Sequence, residues 1–273
     1  MTGDYATALA VHRAVEQTLA AQRIEGWRPG PAHIADLNAL AGGELRFGDY
    51  LASWRERYPP VPVRRRLLRR AVPYLIAGTT VLRNHFGVGD AEDLAALEYI
   101  ATAGRMVLWH RKNVAETDLD PRALHREVFG DVYSWAGEYR TIDIRRGGSA
   151  FLWQSEVDRA MTETRAAALR LAAGGRGYDD PRLAWELSRI YVRYNQIHPF
   201  REGNGRTGML LLYALAARCG RQLDLSRVTR ADWYRAAKDS MPLRRDGTAS
   251  HRPFLPLLNK AVKTRLTDPV GGD

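Results

Sequence analysis

Apolar residues recur at helical spacing along most of this chain. Between Tyr5 and Gln22, the positions Leu9, Val11, Ala14, Val15, Thr18, Leu19 and Gln22 predict a helix, with Gly26 as its stop. Pro31 suits the first turn of a second helix ending at Gly42-Gly43. Phe47 to Tyr58 predicts a third, with Tyr50, Leu51 and Trp54 on one face. Tyr58-Pro59-Pro60-Val61-Pro62 then breaks the pattern, because successive prolines stop a helix and favour an extended linker. Helices are predicted again over Ala91 to His110, from Pro121 through Tyr133, over Met161 to Leu171 and over Pro181 to Ile197. Arg206 to Arg218 is apolar on most sides, the mark of a central buried helix.

Tyr139 to Leu152 differs, alternating with period two around Gly147-Gly148, which predicts a short hairpin. It reads equally as a connector or as a strand-pairing platform for an extended peptide. The expected fold is mainly α, a helical bundle with a β-hairpin, preceded by a small N-terminal helical module. The expected units are 1–60, a linker at 61–73, a large domain at 74–258 and a tail at 259–273.

Composition changes this picture little. The chain has 273 residues, 45% hydrophobic and 26% charged, which excludes disordered, collagen-like and acidic solvating classes. A single cysteine, Cys219, excludes an intramolecular disulfide framework and suits a reducing compartment. No apolar h-region opens the chain and no apolar run reaches the roughly 18–20 residues of a membrane span. A cytoplasmic setting is expected, with no membrane partner. The net charge of +10 owes much to Arg64, Arg65, Arg66, Arg69 and Arg70. That run reads as a solvated linker or helix face, or as a patch for an acidic partner or nucleic acid. Charge alone does not favour nucleic acid as a partner, and basic usage of this kind is common in high-GC bacterial proteins.

The chemistry concentrates in His198-Pro199-Phe200-Arg201-Glu202-Gly203-Asn204-Gly205-Arg206, between two helical patterns. Pro199 pushes His198 out of helical geometry. Gly203-Asn204-Gly205 tolerate positive φ and can form an anion nest at the positive end of the following helix. Arg206 adds a bidentate phosphate donor, and Glu202 a hard carboxylate ligand of the kind Mg²⁺ prefers. His198 at the mouth is placed to take a proton near pH 7. This is not a P-loop, since no Gly-Lys-Ser/Thr follows.

The segment resembles the signature of Fic-domain proteins. Leu124 to Arg140 is similar to the family's helix leading into its flap, and Tyr74 with Gly78 to Asn84 to the opening of toxin-type Fic domains. The resemblance implies a protein adenylyltransferase that moves AMP from ATP to a Tyr, Thr or Ser hydroxyl of a target protein. It implies His198 as base, Glu202 on Mg²⁺, and Gly203, Asn204, Gly205 and Arg206 on the nucleotide's phosphates. It further implies a flap of Ile142, Asp143, Ile144 and Arg145 that docks the target. The signature's last arginine falls on Met209, which leaves open transfer of another nucleotide or phosphate-linked group, or a catalytically impaired interaction protein. Ala21-Gln22-Arg23-Ile24-Glu25-Gly26 is a near match to the family's inhibitory motif. Residues 1–60 then resemble an antitoxin fused to its enzyme, with Glu25 inhibitory. The same residues also read as a plain helix ending in Ile-Glu-Gly. The resemblance places the protein in the bacterial cytoplasm or delivered into another cell.

Overall fold

The structure, a computed structural model, describes residues 2–60, 72–146 and 149–264. The arginine run lies outside the described residues. Helix α1 (Thr2–Glu25) stops where Gly26 takes φ 109°. Helix α2 (Pro31–Gly42) has Pro31 in its first turn and ends on Gly43 in the left-handed region, whose N–H satisfies carbonyls of the last turn. Helix α3 (Phe47–Arg55) follows, somewhat shorter than expected.

Helix α4 (Ala91–Arg111) is capped by the Asp90 side chain, which accepts from the N–H groups of Glu92 and Asp93. Helix α5 (Pro121–Phe129) stops short of the expected Tyr133, at Gly130. Strands β1 (Arg145–Arg146) and β2 (Ser149–Ala150) form a minimal antiparallel hairpin in the register Arg145 to Ala150 and Arg146 to Ser149. Helices α6 (Val157–Gly174), α7 (Asp180–Ile197) and α8 (Asn204–Arg218) complete the bundle.

The core is built around α8, which is buried over most of its length and packs against α1, α5, α6 and α7. Close approach is paid for in side-chain volume: a Cβ at Gly208 would lie 2.8 Å from the Tyr194 ring and 2.9 Å from that of Tyr191. A second apolar cluster joins Leu37, Leu40, Tyr50 and Trp54 of the N-terminal helices to Ile100, Ala103 and Val107 of α4. The N-terminal module is therefore seated on the bundle by burial, and α1 itself reaches α8 as well as helix α9 (Arg230–Ser240).

The C-terminal boundary differs from expectation. Helix α10 (Leu255–Ala261) runs into β4 (Val262–Thr264), which pairs antiparallel with β3 (Arg221–Leu223). Residues 259–264 thus belong to the fold: Ala261 and Val262 are buried, and the Asp224 N–H donates to the Ala261 carbonyl at 2.8 Å. This pairing joins segments forty residues apart, which local periodicity does not register. Among the described residues no helix is long and apolar enough to cross a membrane.

Candidate active site

Helix α7 ends at His198, a non-glycine residue at φ 50° whose N–H still closes onto the Tyr194 carbonyl at 2.9 Å. The reversal throws the imidazole to the mouth of the turn, where it is 8% exposed and stacked 3.7 Å from the Phe151 ring. The turn is then locked internally. The Asn204 side chain accepts from the Phe200 N–H at 2.8 Å and donates to the Phe200 carbonyl at 2.9 Å. Gly203 takes φ 78°, and a Cβ there would sit 2.3 Å from the Phe129 ring, so only glycine fits. Asn204 therefore closes the loop with its side chain at the N-terminus of α8.

Glu202 stands beside His198 at the same cavity. Its Oε1 accepts from the Gly203 N–H at 2.9 Å and lies 4.0 Å from Arg206 Nη2. Desolvation first, and the neighbouring Glu98 charge second, raise its pKa above the ordinary carboxylate value, against Arg206. Beneath it, His125 fixes the loop. The Gly137 N–H donates to Nδ1 at 2.9 Å, so Nε2 carries the proton and donates to the Glu202 carbonyl at 3.0 Å. The ring stacks on Phe200, and burial first, with the Arg206 and Arg126 charges, pushes its pKa down to about 3 against the hydrogen bond to the Glu202 carbonyl, keeping it neutral.

Arg206 is 3% exposed. Its Nη1 donates to Thr102 Oγ1 at 3.0 Å, its Nη2 pairs with Glu98, and the Tyr133 hydroxyl donates to the other Glu98 oxygen. Burial alone would lower the guanidinium pKa; Glu98, Glu202 and Glu25 outweigh it and raise it. Nε is buried without a partner among the described residues. Met209, one turn on, is fully buried in the core.

Glu25, at the last turn of α1, faces the same place. A Cβ built on Gly205 would meet its Oε1 at 2.0 Å and its Oε2 at 2.8 Å, so the carboxylate lies directly on the first turn of α8. The Glu25 backbone is tied by the Tyr99 hydroxyl, which donates to its carbonyl at 2.8 Å. The structure thus gathers His198, Glu202, Asn204, Gly205 and Glu25, with Tyr191, Trp233 and Tyr234, around a cavity of about 30 Å³.

The flap residues separate. Arg145 is in β1, but Ile142, Asp143 and Ile144 precede it and form no ladder. The reason is Arg140, which sequence reasoning left without a role. Fully buried, it donates through Nη1 to the Ile142 carbonyl at 2.7 Å and through Nη2 to the Leu152 carbonyl at 2.5 Å, occupying the acceptors at both feet of the hairpin. Its Nε donates to the His198 carbonyl at 2.9 Å. Asp143 accepts from the Gln154 N–H at 2.8 Å and pairs with Arg245 at 3.3 Å. Glu98 carried no periodic or motif signal; His125 and Arg140 lie in the stretch that resembles the family's, and only their burial reveals what they brace.

The Fic/DOC family profile matches residues 118–216, which span the flap and the His198 turn. A probable protein adenylyltransferase of Sinorhizobium fredii, y4lH, is 34% identical over 159 residues, covering 57% of this chain and 81% of the relative. The protein adenylyltransferase VbhT of Bartonella schoenbuchensis is 32% identical over 173 residues, covering 62% of this chain, which spans only 35% of that protein's length. Among solved structures, BepC of Bartonella tribocorum with bound AMPPNP superposes with a TM-score of 0.61 at 20% identity, over 70% of this chain and 97% of that one. The chain belongs to the Fic/DOC family.

Proposed function

We propose that the chain is a protein adenylyltransferase held in check by its own N-terminal helix. In the reaction, a Tyr, Thr or Ser hydroxyl of a target protein attacks the α-phosphorus of ATP. The new O–P bond forms, the bond to the β-phosphate breaks and pyrophosphate leaves. His198 takes the hydroxyl proton, and the first N–H groups of α8, with Arg206 Nε, receive phosphate oxygens. Glu202 suits a Mg²⁺ ion, because one of its oxygens is engaged by Gly203 and the half-exposed carboxylate faces the cavity; such an ion is commonly held by a single carboxylate plus substrate phosphates. When bound, that ion neutralises phosphate charge. The hairpin beside His198 would align the target segment by strand pairing.

The single observation behind this reading is the meeting of His198, Glu202 and the start of α8 at one cavity. Glu25 supports the regulatory half. Its carboxylate sits where phosphates would lie, and about 30 Å³ is room for a water, not a nucleotide. Residues 1–60 are then an antitoxin-like module fused to its enzyme. Met209 supports a second reading, in which the donor is another nucleotide, since no arginine stands there for an outer phosphate.

The test is incubation of the full chain with each labelled nucleoside triphosphate and Mg²⁺. The expected outcome is self- or target labelling from ATP that rises in Glu25→Gly and is lost in His198→Ala. Undiminished labelling by His198→Ala would overturn the assignment of the base.

A further inference from the structure

A second cavity, of about 240 Å³, lies on the far side of the molecule's N-terminal seam. One face of α1 borders it through Ala10, Arg13, Ala14 and Gln17. The end of α4 with His110, residues 113–115, α8 and the start of β3 complete it, bringing Arg111, Lys112 and Arg221 to the same space. Four cations thus line the cavity and no carboxylate does. Lys112 is paired with Glu127, and Arg221 with Asp180 at 2.7 Å. Arg13 and Arg111 make no ion pair or hydrogen bond with any described residue. Two guanidinium forks from separate helices, bordering one cavity, are the donor set that planar oxyanions take up bidentately. The volume falls below the usual range for nucleotide-sized ligands, and most of the apolar lining is alanine and valine. It suits a compact anion.

At the same seam the hydrogen bonds from α1 to the body are long. A neighbouring cavity of about 260 Å³ shares Arg13, Gln17, Gln222 and Leu223 with the first. Between the two, α1 is tied to the body by long bonds only: Gln17 Nε2 to the Leu223 carbonyl at 3.5 Å, and the Tyr213 hydroxyl to the Gln17 carbonyl at 3.3 Å. Ala14 and Val15 of this stretch are buried, as are Thr18, Leu19, Ala21, Gln22 and Ile24 further along the helix.

We propose that the cavity between α1, α4 and β3 binds a small phosphate-class anion through Arg13 and Arg111, and that this ligand clamps α1 to the body. Arg13 and Glu25 are on one rigid helix, separated by about 18 Å of axis. A ligand bridging Arg13 to Arg111 favours the seated state of α1, and with it the position of Glu25 over the α8 N-terminus. The clamp itself is independent of the proposed activity; its regulatory sense rests on the reading of Glu25 as inhibitory.

The test is hydrogen exchange by mass spectrometry on the full chain, in pyrophosphate against sodium chloride at equal ionic strength. Three proteins are compared: wild type, Arg13→Ala/Arg111→Ala, and Arg28→Ala/Arg244→Ala, which removes the same charge from exposed positions elsewhere. Because pyrophosphate also fits the α8 N-terminus, the difference between variants carries the result. Wild type and the control are expected to gain protection along α1. Arg13→Ala/Arg111→Ala is expected to need about tenfold or more higher pyrophosphate for the same protection. Equal responses in all three proteins, or no response in wild type, would overturn the proposal. Inorganic phosphate is expected to lower self-labelling in wild type and the control more than in Arg13→Ala/Arg111→Ala. Absence of labelling in every protein, and in Glu25→Gly as well, would refute the proposed activity and leave the exchange result to decide the site.

Discussion

At the scale of the residue, the charge arrangement under the cavity is set by Arg206 and Glu98. A buried guanidinium is tolerated because Glu98 and Thr102 engage its two terminal nitrogens, and Tyr133 supplies the remaining Glu98 oxygen with a donor. Position 209 has no such arrangement: Met209 is fully buried in the apolar cluster. Met209→Arg is therefore expected to place an unpaired charge in the core and to cost about 3 kcal/mol or more, read as a fall in the urea midpoint. An unchanged midpoint accompanied by lower labelling would instead mean that the new side chain reaches Glu25.

At the scale of the element, Arg140 holds the hairpin to the His198 turn. Two strands of two residues each cannot stand alone. The largest share of their anchoring comes from one side chain bonded to the carbonyls of Ile142, Leu152 and His198, reinforced by the Arg140 N–H donating to the Pro199 carbonyl at 2.8 Å and by Arg245 Nε donating to the Phe151 carbonyl. Arg140→Gln removes the fork and leaves buried carbonyls unsatisfied. Hydrogen exchange in 141–152 is expected to quicken. Transfer to a target is expected to fall about tenfold or more through kcat, with the KM for ATP little changed, because target alignment rather than nucleotide binding is lost. A change confined to the KM for ATP would place Arg140's influence in the nucleotide site instead.

At the scale of the whole molecule, two imidazoles withdrawn from water, buried His125 and half-buried His110, tie stability to pH. Burial lowers the pKa of both His110 and His125 to about 3, against 6.5 in the unfolded chain. Below pH 6.5 the unfolded state therefore binds protons that the native state refuses, and stability falls as pH falls towards 3. Each ring contributes a slope of about 1.4 kcal/mol per pH unit in that window. Glu202, whose pKa is raised, works in the opposite sense just above the ordinary carboxylate range. His110 has a buried Nε2 with no partner, so His110→Phe keeps the ring packing and is expected to flatten the slope by about 1.4 kcal/mol per pH unit at no cost near neutrality. Urea denaturation between pH 4 and 7 measures it; an unaltered slope would mean that His110 protonates readily in the folded state.

Helices α1 to α8, the stops at Gly26 and Gly43, and the turn at Gly203 were legible in the sequence because each is a local matter of periodicity, φ and capping, whereas α9 and α10 were not read from it. So was the cluster from His198 to Arg206, since its members are neighbours in the chain. The β3–β4 pairing and the residues that brace the site were not. Glu98 and Arg140 look like surface charges until helices brought together from distant parts of the chain bury them, and His125 looks like any helical histidine. Glu25 stood in a recognisable motif, yet its place over Gly205 depends on α1 being seated on α4 and α8 through Ala21, Ile24 and their neighbours. Local chemistry is written along the chain, whereas which charge meets which is decided by apolar burial between segments far apart in it.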